Sequence, residues 1–170
     1  AGPLAGHPFG PASFVITAAG DTDSRSNPAS GVYSISHLSA NITIEGVGTF
    51  DFLSPTRTFN NQTYPIVGFS RGPSGSDLLN GPIESSLSTW DMLTSFGPVT
   101  GAGDLLQWDS GVIETSGGDL QFTSGSTAVT FHAQLVPEPS SYILAAFVGS
   151  VLLCFCQGRT RQSTCDVLAA

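Results

Sequence analysis

The sequence predicts an all-β fold: an antiparallel β-sandwich or jelly-roll-like domain, followed by one C-terminal transmembrane helix. Three observations lead to this prediction: period-two alternation of apolar residues, turn-forming residues between the alternating stretches, and one uncharged apolar run near the chain's end. Alternation is typical of strands with one buried face, and closely spaced turn signals are typical of sandwiches and barrels. We therefore expect a β-rich domain over residues 1–135, a linker over 136–141, a helix over 142–157 and a tail over 158–170.

The individual strands are predicted from the alternation itself. It is clearest in residues 14–18, 42–44, 50–52 and 129–135. In the last of these stretches an apolar residue occupies every odd position, and polar residues lie between them: Thr130, His132 and Gln134. One face of each predicted strand is therefore expected to contact the core.

Turns and one short helix complete the predicted domain. Gly, Pro, Ser, Asn and Asp gather at residues 20–28, 71–75, 97–103 and 117–118, where they predict turns. Residues 86–96 are compatible with a short helix, because Leu87, Trp90 and either Met92 or Leu93 would share one face.

The composition limits the classes of partner. The net charge is −8, no lysine is present, and only 11% of residues are charged. An acidic surface repels phosphate backbones, so nucleic acid is not an expected partner. The three cysteines lie at positions 154, 156 and 165, so no disulfide is expected within the β-rich domain, and two cysteines in an apolar run supply too few ligands for a metal. No cofactor is predicted.

The character of the chain changes after Leu135. Pro137 and Pro139 remove backbone donors and fix φ, which predicts a stiff, extended linker. The uncharged apolar run that follows begins at Tyr142 and ends at Cys156. As a helix rising about 1.5 Å per residue, and extended slightly by its polar neighbours, the run approaches a hydrocarbon core about 30 Å thick. A buried core helix is the alternative, but such a helix would need a polar face.

The basic residues after the run predict its orientation. Arg159 and Arg161 follow the apolar segment closely. Positive charge collects on the cytoplasmic side of membrane helices, so we expect a cytoplasmic tail and an exported β-rich domain. The chain begins at Ala1 without an initiator Met, which fits either removal of a signal peptide or a chain trimmed at its start.

The order Pro-Glu-Pro, apolar helix and Arg at a C-terminus resembles the PEP-CTERM sorting signal of exosortase-bearing bacteria. The resemblance implies that Pro137, Glu138 and Pro139 are recognised by an exosortase-type membrane peptidase, which processes the chain nearby. It further implies that the helix, with Arg159 and Arg161, retains the chain in the inner membrane during transit to the cell surface or medium. Association with exopolysaccharide is a usual implication for this family. A single-pass membrane protein that is never processed is the rival interpretation.

One motif resembles the nucleophile elbow of serine hydrolases. The residues from Gly68 to Gly72 match the pattern Gly-x-Ser-x-Gly, with Ser70 at its centre, and Asp104 or Asp109 and then His132 follow in the hydrolase order. A nucleophile elbow needs a helix directly after the serine, whereas Pro and Gly follow here. We therefore predict a strand running into a loop and no enzymatic activity, with a hydrolase using Ser70 as a remote alternative.

Two other features suggest ligand contacts. Asp21 and Asp23 resemble the start of a calcium loop, but Ser26 and Val32 stand where the EF-hand pattern needs Gly and Glu. The predicted structure there is an Asx-rich turn, with a looser calcium site as the alternative. Trp90 and Trp108 are expected to be core or rim aromatic residues; if exposed, they would stack on sugar rings. The sequence therefore predicts a structural or adhesive surface protein, with a carbohydrate- or calcium-binding module as the alternative.

Overall fold

The computed structural model describes residues 1–72, 75–109, 111–125 and 128–136. This part of the chain is built mostly from antiparallel β-strands, as predicted, and Ala1–Gln134 form one compact unit. Among the described residues, no helix has the length and apolar character needed to cross a membrane. The predicted transmembrane helix and basic tail, and all but the first residue of the predicted linker, lie outside the described residues.

The strands and the two 3₁₀ helices follow one another along the chain. The strands are β1 (Gly2–Leu4), β2 (His7–Phe9), β3 (Phe14–Gly20), β4 (Ser26–Ala29), β5 (Val32–Ile44), β6 (Gly48–Asp51), β7 (Thr56–Asn61), β8 (Ile66–Arg71), β9 (Asp77–Ile83), β10 (Phe96–Ala102), β11 (Asp104–Leu105), β12 (Ile113–Thr115), β13 (Gly118–Leu120) and β14 (Ala128–Ala133). The 3₁₀ helices are Thr22–Ser24 and Ser85–Ser88.

These strands form three sheets. The largest sheet has the order β11-β9-β8-β7-β5-β3, and β4 and β6 also pair with β5. A second sheet has the order β12-β13-β1-β2, and β10 pairs with β14 in a two-stranded ribbon. All the pairings are antiparallel.

Strand β5 organises the largest sheet because it has 13 residues and pairs along both of its edges. Its register with β3 shifts between the pairs Ala19–Ser39 and Gly20–His37, so Leu38 is an extra residue in β5. This insertion is a β-bulge, and Leu38 projects into solvent with 80% of its surface exposed. Because the extra residue changes which alternate positions face the core, both Ile35 before the bulge and Ile42 after it are buried, although one number is odd and the other even.

Two hydrophobic clusters form the core. The larger core contains Trp108, Phe122, Leu120 and Phe69 among its buried residues. The smaller core contains Ile35, Val67, Leu87, Trp90 and Met92, with Phe131 of β14 packed against it. Burial of such side chains contributes roughly 1.5–3 kcal/mol each.

The predicted alternation in the last strand is confirmed. Val129, Phe131 and Ala133 are partly buried against the core, whereas Thr130 and His132 are exposed. Leu135 lies beyond the strand and is 51% exposed. The predicted turn at residues 117–118 is also confirmed, because it connects β12 to β13.

The prediction of a turn at residues 97–103 is wrong, because most of that segment is strand β10. Its glycines are required by close approach: a Cβ on Gly101 would lie 2.6 Å from the Ile83 carbonyl oxygen, and Gly97 has a φ of +83°. Pro98 lies where the register with β14 shifts between Phe96 and Val99, a position that a strand tolerates.

The predicted helix over residues 86–96 is reduced to the single 3₁₀ turn Ser85–Ser88. The side chain of Asn60 donates hydrogen bonds to the carbonyl oxygens of Leu87 and Trp90. A longer helix would need those carbonyls for its own backbone hydrogen bonds. Leu87, Trp90 and Met92 are nevertheless buried together, as the predicted face required, and Leu93 is 38% exposed.

Candidate functional site

The residues of the predicted sorting signal lie just after the β-rich unit. Strand β14 ends at Ala133, and Val136, the last described residue, is 73% exposed. Pro137, Glu138, Pro139, Arg159 and Arg161 lie outside the described residues. The folded unit therefore ends a few residues before the Pro-Glu-Pro sequence.

Trp108 is completely buried in the larger core. Its ring packs edge-on against Phe122 at a centroid distance of 4.7 Å and lies 6.2 Å from Phe69. The indole nitrogen is 3.4 Å from the Leu120 carbonyl oxygen. The ring is thus enclosed by other side chains and has no face open to a sugar.

Trp90 occupies the equivalent place in the smaller core, with 6% of its surface exposed. It stacks on Phe96 at 5.0 Å and contacts Phe131 at 5.5 Å, and its indole N–H donates to the Thr94 carbonyl oxygen. Both tryptophans therefore belong to the core, as their primary interpretation predicted. The exposed pair on which sugar stacking depended is not formed.

Asp21 and Asp23 build a turn. The carboxylate of Asp21 accepts a hydrogen bond from the Asp23 backbone N–H at 2.8 Å and caps the 3₁₀ helix Thr22–Ser24. This is the Asx-type turn that the sequence predicts. Among the described residues, no group of three or more His, Cys, Asp or Glu side chains converges on one point.

Ser70 lies inside strand β8 and is fully buried. Its hydroxyl donates to the Asp77 carboxylate at 2.7 Å on the neighbouring strand. The strand then continues through Arg71 to a turn at Gly72, so the predicted strand and loop are present. His132 is exposed on β14, and the group that pairs with Ser70 is the Asp77 carboxylate, whereas the base of a hydrolase triad is an imidazole.

The structure also contains a polar cluster that the sequence did not indicate. His37 lies at the bulge of β5, and its Nδ1 and Nε2 atoms are each 2.9 Å from a hydroxyl, on Thr56 and Thr58 respectively. The imidazole stacks on Phe69. Burial lowers the pKa of His37 from 6.5 to about 4, so the ring is neutral near pH 7.

Strand β7 explains why this cluster was missed. Thr56, Thr58 and Asn60 alternate along it and lie on the same face as Phe69 and Val67 of β8. Period-two reasoning assigns such polar residues to the solvent face. The only sequence signal was a histidine within a run of strand-forming residues. Since both ring nitrogens are hydrogen-bonded to threonine hydroxyls, the cluster satisfies its buried polar groups internally.

The outer face of β3, β5 and β6 is exposed and polar. Its cross-strand rows are Val15–Thr43–Thr49 and Thr17–Asn41–Asp51. Two of its hydroxyls, on Thr43 and Thr49, lie 2.8 Å apart. Hydroxyl, amide and carboxylate groups in such rows can exchange hydrogen bonds with water or with a polar polymer.

No protein-family model matches the chain, and no curated protein or solved structure is significantly similar to it.

Proposed function

We propose that the protein is an exported, non-enzymatic surface or extracellular-matrix component of structural or adhesive type. Its C-terminal segment would be a PEP-CTERM sorting signal processed by an exosortase-type membrane peptidase. One observation carries the proposal: Pro-Glu-Pro, an uncharged apolar run and two arginines follow in that order, directly after the β-rich unit ends at Gln134.

The membrane segment is part of the same proposal. The run that begins at Tyr142 and ends at Cys156 would cross the inner membrane during transit, with Arg159 and Arg161 on the cytoplasmic side. Cleavage near Pro137–Glu138–Pro139 would then release the β-rich unit to the cell surface or medium. Val136, the last described residue before that tripeptide, is exposed.

The domain itself supports a structural or adhesive role. We infer a sandwich-like arrangement, because the four-stranded sheet β12-β13-β1-β2 and the β10–β14 ribbon both contribute side chains to the two cores. These cores lie on one face of the largest sheet. The groups that resemble catalytic or sugar-binding residues are engaged within the fold: Ser70 with Asp77, and both tryptophans with other aromatic rings. The polar outer face of β3, β5 and β6 remains open for contact with a matrix polymer such as an exopolysaccharide.

Intact mass tests the sorting step. The protein would be recovered separately from the cytosol, envelope and medium of the native host. We expect a form in the envelope or medium whose C-terminus lies within residues 137–141. A full-length mass confined to the membranes would show a permanent anchor and overturn sorting. Recovery from the cytosol alone would overturn export as well.

A pair of variants ties processing to the tripeptide. Replacing Pro137, Glu138 and Pro139 by alanine is expected to leave the full-length form in the membrane. The matched control replaces Ser140 and Ser141 by alanine, which changes the adjacent polar residues and keeps the tripeptide. Equal processing of both variants would contradict the assigned recognition residues.

A further inference from the structure

We propose that two copies of this chain associate by antiparallel pairing of their β3 strands, which joins the two largest sheets across a two-fold axis. The feature behind the proposal is the outer edge of β3, Phe14–Gly20. Strand β3 ends the largest sheet, and no described strand pairs with its outer edge. The inference does not depend on the proposed sorting, because it concerns the β-rich unit alone.

The backbone of β3 has hydrogen-bonding groups that point outward. The N–H of Glu45 donates to the Ser13 carbonyl oxygen, which places odd-numbered residues of this segment in hydrogen-bonded pairs with β5. Independently, the N–H of Phe52, directly after β6, donates to the Ala40 carbonyl oxygen. The even-numbered residues in this part of β5 therefore form their hydrogen bonds on the edge that faces β6, away from β3. The N–H and C=O groups of Phe14, Ile16 and Ala18 therefore point away from the sheet.

The edge is also open and chemically unprotected. Ala18 is exposed although its side chain shares the face of the partly buried Ile16, so nothing in the described chain covers this end of the edge. The sequence of β3, FVITAAG, has no charge and no proline. Natural sheet edges are usually protected by charge, proline, shortness or a bulge, and unprotected edges pair with other strands.

Several other edge strands in the described part of the chain carry such protection. Proline occurs in β2, β4 and β10, at Pro8, Pro28 and Pro98. Strands β11 and β12 have two and three residues, and each carries a charge. Strand β14 packs against β9 as well as pairing with β10. Strand β3, with seven residues and neither charge nor proline, has none of these three forms of protection.

A second copy fits this edge because the pattern is self-complementary. The outward-pointing residues Phe14 and Ala18 are equally spaced about Ile16, so a two-fold axis at Ile16 pairs Ile16 with its own copy and Phe14 with Ala18 of the second copy. Val15, which is 63% exposed, then faces Thr17 of the second copy. Six backbone hydrogen bonds become available, two at each of the three pairs.

The net charge of −8 does not prevent this pairing, because the charges lie away from the axis. Asp21 is five residues from Ile16, so the two copies of Asp21 would be about 34 Å apart along the paired strands. That separation exceeds the Debye length of about 8 Å at physiological salt. The interface is small, and we expect a weak, concentration-dependent dimer.

Disulfide formation between two engineered chains tests the register. In full-length chains with Cys154, Cys156 and Cys165 replaced by serine, one partner would carry Val15→Cys and the other Thr17→Cys. Directly opposed residues have Cα atoms about 4.5 Å apart, within the range for a disulfide, whereas two copies of position 15 would be about 8 Å apart. We expect at least about tenfold more crosslinked dimer in the mixture than in either chain alone. Equal yields in all three samples would overturn the proposed register.

A second experiment tests the association without crosslinking. Sedimentation of the full chain in a mild detergent, from about 10 μM to about 1 mM, is expected to show a dimer that accumulates with concentration. In the variant Val15→Lys/Thr17→Lys, the lysine at position 15 of each copy would face the lysine at position 17 of the other. Repulsion between these like charges should weaken dimerisation about tenfold or more. The control Leu53→Lys/Tyr64→Lys adds the same charge at exposed positions outside β3 and should dimerise like the wild type. A monomeric wild type, or equal dimerisation by both variants, would overturn the proposal.

Discussion

The imidazole of His37 stacks on the ring of Phe69, with centroids 5.6 Å apart and planes inclined by 20°. The two residues lie on β5 and β8, on either side of β7. Phe69 belongs to the larger core, and Ile35, two residues before His37, belongs to the smaller one. His37 therefore lies beside the junction of the two cores.

Acid is expected to destabilise the protein through His37. Because burial lowers the pKa of His37 from 6.5 to about 4, the unfolded chain binds this proton more readily than the folded chain does. The contribution of neutral His37 to the free energy of unfolding is therefore fully present above about pH 6.5, decreases as the pH falls, and is lost by about pH 4. The total change in the free energy of unfolding is at most about 3 kcal/mol. Urea unfolding across this pH range measures the effect.

Two variants isolate the contribution of His37. His37→Gln removes the titrating group and should flatten the pH dependence relative to the wild type. His132→Gln makes the same substitution at an exposed histidine on β14 and serves as the matched control. If His37→Gln and the wild type lose stability in parallel between pH 6.5 and 4, another group is responsible.

The substitution Asn60→Asp is expected to destabilise the protein by about 3 kcal/mol at pH 7. Asn60 is fully buried, and its amide nitrogen lies 2.9 Å from the Leu87 carbonyl oxygen and 2.6 Å from that of Trp90. A carboxylate would place a charged oxygen against two acceptors while changing the side-chain volume very little. Chemical denaturation measures the loss. Asn27→Asp, on exposed β4, makes the same chemical change and should cost less than about 0.5 kcal/mol.

Any side chain at Gly68 is expected to lower the stability of the folded protein. A Cβ there would lie 2.5 Å from Phe59 Cε1 and 2.7 Å from Asn80 Oδ1, so Gly68→Ala should cost about 1–3 kcal/mol. Gly10→Ala is the matched control, because nothing lies within 4 Å of a Cβ at that position. The two midpoints of thermal unfolding give the comparison. Equal midpoints would mean that Phe59 moves aside without cost.

Removing the indole of Trp108 is expected to cost about 3–5 kcal/mol in the variant Trp108→Ala, because the ring fills the centre of the larger core. Tyr64→Ala removes another large aromatic ring, one that is 73% exposed, and should change stability by less than about 0.5 kcal/mol. The free energy of unfolding in urea gives both values. A wild-type stability for Trp108→Ala would indicate an exposed indole and would restore sugar stacking as a candidate role.

The sequence predicted best where one strand keeps a single alternating pattern. Residues 129–133 alternate without interruption, and β14 presents the expected residues to the core. Ile42 and Ile44 are likewise buried as predicted. In such segments, local periodicity and tertiary packing favour the same arrangement, so a local pattern is sufficient.

Prediction failed where a distant contact decides the local structure. The bulge at Leu38 depends on the register between β3 and β5, which no alternation within β5 reveals. Residues 97–103 have the composition of a turn, yet they form β10, because glycine is needed where the strand passes close to Ile83. Thr56, Thr58 and Asn60 face the interior because His37 and the loop at Trp90 supply their hydrogen-bond partners.

The position of β1 determines when the protein can finish folding. Strand β1 lies between β13 and β2, with Leu4 opposite Leu120, and the Ala1 carbonyl oxygen accepts a hydrogen bond from the Thr123 N–H at 2.9 Å. Contacts between residues so far apart in the chain give a high contact order and slow folding. The four-stranded sheet β12-β13-β1-β2, and the larger core that it covers, can form only after the segment near Leu120 has been synthesised. A chain emerging from the ribosome therefore stays incompletely folded until late in synthesis, and this delay would favour the export that we propose, because a chain crosses a membrane more readily before it folds.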